Sequence, residues 1–473
     1  MSKKKFALVI CFVLVAMLPT FALYNRQGIP DSSEIRRRLV EEWFTASVDS
    51  VRANVTELHI NNAGTVFQVR AEENGRDLIV IVAPQDKLKV DVYSETGKHS
   101  SYVDVYPVDS PGSWVLLRDI DTGNPLQIRY YFAADSDVFI QLSPYGEKTV
   151  ADFVVFGSYA ARGVPVGIPF KRLYTASFAE VYSLTKNTLP WEYTDIMPGL
   201  YHPVKQMIAV VRENLDRFFY AEDGAYDEDG NPVFISTGRQ RVVEENVLEE
   251  EGLSFSSAGF LKWIVDGLVM PLAGSYTLIN PLLVPTVEYK QGSFSDVISQ
   301  RFNISFSLDW TRNLASAALS VYSGKNYFYY NSGCDVTVEP FSAEKSDAGW
   351  VNSLGYLKDS GYRIDNLHPL LYVLAATEPG RFFLGAVRQT DANSRQFVVD
   401  DVNSTENTTT EEPDVNFFTE SVAFFPYFDN AGRFNVAVFE GGKELTLEAF
   451  MKKYSGSHVH LVRINASERF FPQ

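Results

Sequence analysis

Apolar residues near the start of the chain fall at helical spacing. Over 32–48, Ile35, Leu39, Val40, Trp43 and Phe44 form one stripe, with Asp31 placed to cap and Arg36–Arg38 and Glu41–Glu42 on the other faces. This predicts an amphipathic helix within 23–49. The period then shortens. Apolar-rich extended runs occupy 65–71, 78–83, 88–93, 102–106, 114–119, 126–132 and 138–142. Asn74-Gly75, Thr96-Gly97, Pro111-Gly112 and Thr122-Gly123-Asn124 punctuate them. Short strands at such regular spacing predict an antiparallel β-sandwich over 50–155. Residues 156–200, rich in Gly, Pro and aromatics, read as an ordered connector.

Helical periodicity returns after Pro203, where Val204, Met207, Ile208, Val211, Leu215 and Phe218 share a face. Further helices are expected over 255–269 and 309–322. A hairpin is expected next, from 370–375 through Pro379-Gly380 to 382–387. The polar, Thr/Asn/Glu-rich stretch 389–416 reads as a mobile loop. Strands 422–428 and 434–439 bracket the turn Asp429-Asn430-Ala431-Gly432. A short helix near 445–452 and a strand over 458–464 complete the pattern. Helices followed by an antiparallel sheet define an α+β domain over 201–473. The expected fold class is therefore multidomain, a β-sandwich followed by an α+β domain.

Composition narrows the class of partner. The 473 residues carry 42 basic and 59 acidic side chains, a net charge of −17, which disfavours nucleic acid. Aromatic residues make up 14%, in keeping with packed β-layers. Lys3, Lys4 and Lys5 precede an apolar run from Phe6 to Ala22, the pattern of a signal peptide over 1–22. Cleavage after Ala22 would leave an exported chain, periplasmic or extracellular, of net charge −20. The alternative is an uncleaved membrane anchor. No later run is long and apolar enough to span a bilayer, so no span is expected after cleavage. One cysteine, Cys334, would remain, which excludes a disulfide scaffold.

The most informative stretch is Phe255-Ser256-Ser257-Ala258-Gly259-Phe260, which opens the apolar helix 255–269. It resembles the nucleophile segment of the NlpC-type, papain-like peptidases of bacterial cell-wall peptide. There an aromatic residue, Asp, Cys, Ser and Gly precede such a helix. Phe255, Gly259 and Phe260 match; Ser257 falls at the Cys, Ser256 at the Asp and Ala258 at the Ser. Ser421-Val422-Ala423-Phe424-Phe425 resembles the strand that carries the family's histidine, which puts Ser421 at the base. Residues 365–373 resemble the preceding strand. The resemblance covers roughly 250–465 and implies a papain-like fold whose catalytic letters have changed.

A helix N-terminus favours a thiolate there, but a serine hydroxyl ionises far less readily and needs a positioned base, which Ser421 is not. The resemblance thus implies an exported pseudo-peptidase that binds cell-wall peptide or glycan through Ser256, Ser257 and Ser421. One alternative is an active serine hydrolase in which His368, His458 or His460 serves Ser257, His368 being the foremost rival base. Others are a structural envelope protein and an unrelated α+β domain in which Ser257 does ordinary capping work.

The remaining candidates have plainer readings. His458-Val459-His460 puts two imidazoles on one strand face without a third ligand at local spacing, so no metal site and no cofactor are expected. Asp227-Glu228-Asp229-Gly230-Asn231 lacks a carboxylate at Ala225, where a calcium loop begins, and reads as a hairpin turn. Cys334 reads as a half-buried structural thiol.

Overall fold

The computed structural model describes residues 28–94, 97–245, 247, 250–287, 305–342, 344–345, 351–352, 355–389 and 417–473. The signal segment and residues 390–416 of the expected loop lie outside the described residues; Gln389 ends a strand. The chain divides into two compact units, Met1–Thr194 and Asp195–Gln473. Most of the expected connector therefore belongs to the first unit.

In the first unit, α1 (Ser33–Leu39) continues as a wider helical turn over Val40–Phe44. The strands are β1 (Glu57–Ile60), β2 (Val66–Asn74), β3 (Asp77–Pro84), β4 (Asp86–Ser94), β5 (Gly97–Val105), β6 (Trp114–Asp119), β7 (Pro125–Tyr131), β8 (Val138–Tyr145), β9 (Lys148–Val155) and β10 (Ser158–Pro165). Eight of them form one antiparallel sheet in the order β1-β2-β3-β6-β7-β8-β9-β10, while β4 and β5 pair only with each other. This corrects the sandwich of two packed sheets: the expected strands are present, but eight strands meander through one sheet and β4 and β5 form a separate hairpin. Consecutive strands of the large sheet are neighbours, apart from the β4–β5 excursion between β3 and β6. Gly75, at φ +68°, supplies the left-handed residue for the β2–β3 turn.

Alternate residues of these strands, among them Leu78, Val80, Val82, Leu116, Ile128 and Ile140, are fully buried, as are Ile35 and Trp43 of the helical segment. Arg36, expected on a polar face, is instead fully buried. Its guanidinium donates to the Leu173, Tyr174 and Ala176 carbonyls at 3.3, 2.9 and 2.7 Å and lies 5.0 Å from the Trp114 ring centroid. The three carbonyls point inward at a 3-10 turn over Phe170–Tyr174, ahead of α2 (Phe178–Thr185). A fixed guanidinium fork satisfies all of them at once.

In the second unit, a mixed-length sheet separates two helical layers. Its strands are β11 (Tyr362–Arg363), β12 (Arg381–Gln389), β13 (Phe417–Phe428), β14 (Phe434–Glu440), β15 (Lys443–Leu445) and β16 (His458–Asn465), in the order β11-β16-β12-β13-β14-β15 with antiparallel pairings. On one face, Phe382, Leu384, Ala423, Phe425 and Phe439 pack with α3 (His202–Asn214), α4 (Ser257–Ala273) and α5 (Phe306–Ser323). On the other, Phe383, Val422, Phe424 and Val438 pack with α6 (Leu367–Thr377) and α7 (Leu447–Lys453).

The segment expected as the first strand of a hairpin, 370–375, is α6, so the strand resemblance over 365–373 also falls. Leu370, Leu371, Tyr372, Val373, Leu374 and Ala375 are all buried, and a helix buried on every side shows neither alternation nor a stripe. The Asp227 segment is the expected turn. It joins the antiparallel pair Gly224–Tyr226 and Pro232–Phe234, and the Asp227 carboxylate accepts from the backbone N–H groups of Asp229 and Asn231. Among the described residues, no helix is long and apolar enough to cross a membrane.

Candidate functional site

The head of α4 is assembled from four segments. Ser256 is its N-cap: the Oγ accepts from Gly259 N and donates to Gly224 O, both at 3.2 Å. Gly259 has no room for a side chain, since a Cβ there would lie 2.1 Å from Gly224 O and 2.8 Å from Phe255 Cβ. The helix start is thus pressed against the Gly224 backbone. Trp310 of α5 donates to Ala258 O at 2.8 Å on another side. Ser257 is the first helical residue and is only half-buried.

The ionisable group nearest in effect to Ser257 is Glu420 of β13, whose carboxyl the Ser257 hydroxyl favours in its charged form. Pairing explains its reach. β14 ends at Glu440 opposite Val422, so β13 runs past its neighbour there, and its pairing with β12 is irregular between Val387 and Arg388. Bulged strand ends of this kind re-aim side chains. Glu440 accepts from Lys453 Nζ at 2.8 Å and from the Tyr454 hydroxyl. Burial pushes the Glu420 carboxyl above its usual range and the nearby Glu440 charge adds to this, with Lys453 and the Ser257 hydroxyl opposing. Two carboxylates and one ammonium therefore lie together near the head of α4.

The other sequence candidates are placed elsewhere. Ser421 lies one residue from Glu420 and so projects to the opposite face. It is fully buried, and its Oγ donates to Ser307 Oγ of α5 at 3.1 Å. The expected pairing of Ser421 with Ser257 gives way to Ser257–Glu420, and in this conformation Ser421 is sealed from any ligand. His368, on α6, stacks its ring on Phe434 at 5.8 Å. His458 and His460 are on β16, which β12 separates from β13. Sequence reasoning missed Glu420; a charged residue beside Ser421 in an otherwise apolar strand was the available signal.

A second polar cluster centres on Arg312 of α5, which is nearly fully buried and donates to Asp335 and Asp359, each at 2.8 Å. His460 Nε2 faces Arg312, Tyr356 and Asp335 at 3.3, 3.4 and 3.4 Å. Burial holds the imidazole below its ordinary pKa, with the bond to Asp335 opposing. Burial would raise Asp335, but His460 and Arg312 outweigh it and hold the carboxyl below its usual range. The cluster joins α5, β16 and the 335 and 359 segments, with the Arg312 guanidinium held between two carboxylates. Among the described residues, no group of three or more His, Cys, Asp or Glu is arranged to hold a metal ion.

Residues 25–193 match a family described as a domain of unknown function (DUF8515), a span that nearly coincides with the first compact unit. No curated protein and no solved structure matches the chain.

Proposed function

We propose that the second unit is a papain-like scaffold of NlpC type without hydrolase chemistry. In this reading the protein is exported to the cell envelope and binds cell-wall peptide at the head of α4. The observation that carries the reading is the Ser257–Glu420 contact. A hydroxyl opens a buried helix, and the group beside it on the adjoining strand is a carboxylate rather than an imidazole.

Proton affinity argues against turnover. An ordinary glutamate has a pKa of about 4.3, far below that of an alcohol, so a carboxylate whose pKa is raised by burial is still a poor base for Ser257. The same charges favour recognition. Glu420 and Glu440 repel one another, and Lys453 is the cation that offsets them among the described residues, so an incoming ammonium group would relieve the repulsion. Peptides with a free side-chain amine therefore suit these carboxylates better than neutral glycans.

The test is calorimetric titration of the purified chain with an amine-bearing cell-wall peptide and with the same peptide N-acetylated. The amine form should bind more tightly, and Glu420→Gln should remove that preference. Equal binding of both forms, or none, would favour the structural-envelope reading instead.

A further inference from the structure

A cavity of about 760 Å³ opens between α4, α5 and the end of β16, lined in part by Leu268, Leu272, Ala315, Ala318 and Leu319. That is the volume of a pocket for a small organic ligand. It exists because α5 presents alanines at 315 and 318 where larger side chains would close the gap to α4.

The polar residues of the wall are unusual for so acidic a chain. Arg381, Arg463 and Arg469 line the cavity, with Glu468 as the one acidic residue there. Arg463 is held rigidly: Nε and Nη2 donate to Glu378 at 2.8 and 3.0 Å, and Nη1 donates to the Gly333 and Asp335 carbonyls at 3.1 and 2.7 Å. Arg381 shares Glu378, so two guanidiniums are balanced by one carboxylate. Glu468 pairs with His202 at 3.1 Å. The Arg469 side chain is exposed and has no ion-pair partner among the described residues. Net positive charge thus collects at the mouth of an apolar pocket in a protein of net charge −17.

We propose that this cavity binds an amphipathic anion, an alkyl chain lodged between α4 and α5 with a carboxylate or phosphate head on Arg469 and Arg381. Apolar burial supplies affinity, and the guanidiniums select the head group and fix its direction. The site is separate from Ser257 and does not depend on the reading given for the head of α4.

The test is calorimetric titration of the full chain with dodecanoate, dodecyl phosphate, dodecanol and inorganic phosphate. Either dodecyl anion should bind at one site at least about ten-fold tighter than dodecanol, the worth of one charge-assisted hydrogen bond. Displacement by inorganic phosphate alone would mark a head-group site, whereas dependence on the chain marks an amphiphile site. Ala318→Trp should abolish binding by filling the pocket. Arg469→Glu, at an exposed position that leaves folding intact, should weaken the anions and spare the alcohol. Equal affinity for anion and alcohol, an unaffected Arg469→Glu variant, or no saturable binding would overturn the proposal.

Discussion

Gly259→Ala tests whether the head of α4 is built as described. Two effects oppose each other. Alanine is the better helix former by about 1 kcal/mol in a helix interior. The added Cβ would lie 2.1 Å from the Gly224 carbonyl oxygen and 2.8 Å from Phe255 Cβ, so Gly224 or α4 must move by an ångström or more. Overpacking of this kind costs about 1–3 kcal/mol. The Gly224 carbonyl also accepts from Ser256 N at 2.9 Å and Ser256 Oγ at 3.2 Å, and displacement strains both bonds. At about 1 kcal/mol each, these bring the gross cost to roughly 3–5 kcal/mol. Steric cost wins, and the variant should be about 2–4 kcal/mol less stable.

Urea unfolding followed by tryptophan fluorescence measures this directly, since Trp263 and Trp310 lie in the same core. Gly267→Ala is the control. There the added Cβ meets the Phe470 ring at 2.5 Å and Pro472 Cβ at 3.0 Å, side chains near the chain end that yield more easily than backbone. A Gly259→Ala variant as stable as the parent, or less perturbed than Gly267→Ala, would refute the close approach.

Burial lowers the pKa of His460, so the unfolded chain binds the extra proton between the folded value and about 6.5. Stability of the second unit should therefore fall as pH drops below about 6.5, and His460→Gln should flatten that slope in urea unfolding. Asp335, held low, adds its own loss only below about 3.9. Arg36→Met removes the donors to the Leu173, Tyr174 and Ala176 carbonyls and should cost about 3–5 kcal/mol by urea unfolding; a loss under about 1 kcal/mol would contradict the clamp. Glu420→Gln should raise the urea midpoint at pH 7, because the carboxyl pKa is raised on folding. The gain should shrink as pH falls through the folded value and vanish below about 4.3.

Much of the fold is legible wherever one face of an element is buried. Val80 and Val82 alternate with residues on the other face of β3, and Gly75 marks the turn before it. Such local signals locate strands but do not say whether they join one sheet or two, which is a matter of long-range pairing. The residues of α6 defeat both periodicities because they are buried all round. Arg36 looks solvent-facing because its carbonyl partners lie far along the chain, at 173–176. At the site, Ser257 and its helix are readable from Phe255, Gly259 and the apolar run. Its partner is not: the choice between Glu420 and Ser421 is one residue of strand parity, fixed by where β14 stops and by an irregularity opposite Val387.

The claim that Ser257 has no working base is tested most directly by incubating the purified chain with amine-bearing cell-wall peptide and following the products by mass spectrometry, with Ser257→Ala alongside. The peptide should be recovered intact from both proteins, without an acyl adduct on Ser257. Cleavage by the parent chain that disappears in Ser257→Ala would contradict the account and make the protein a serine hydrolase.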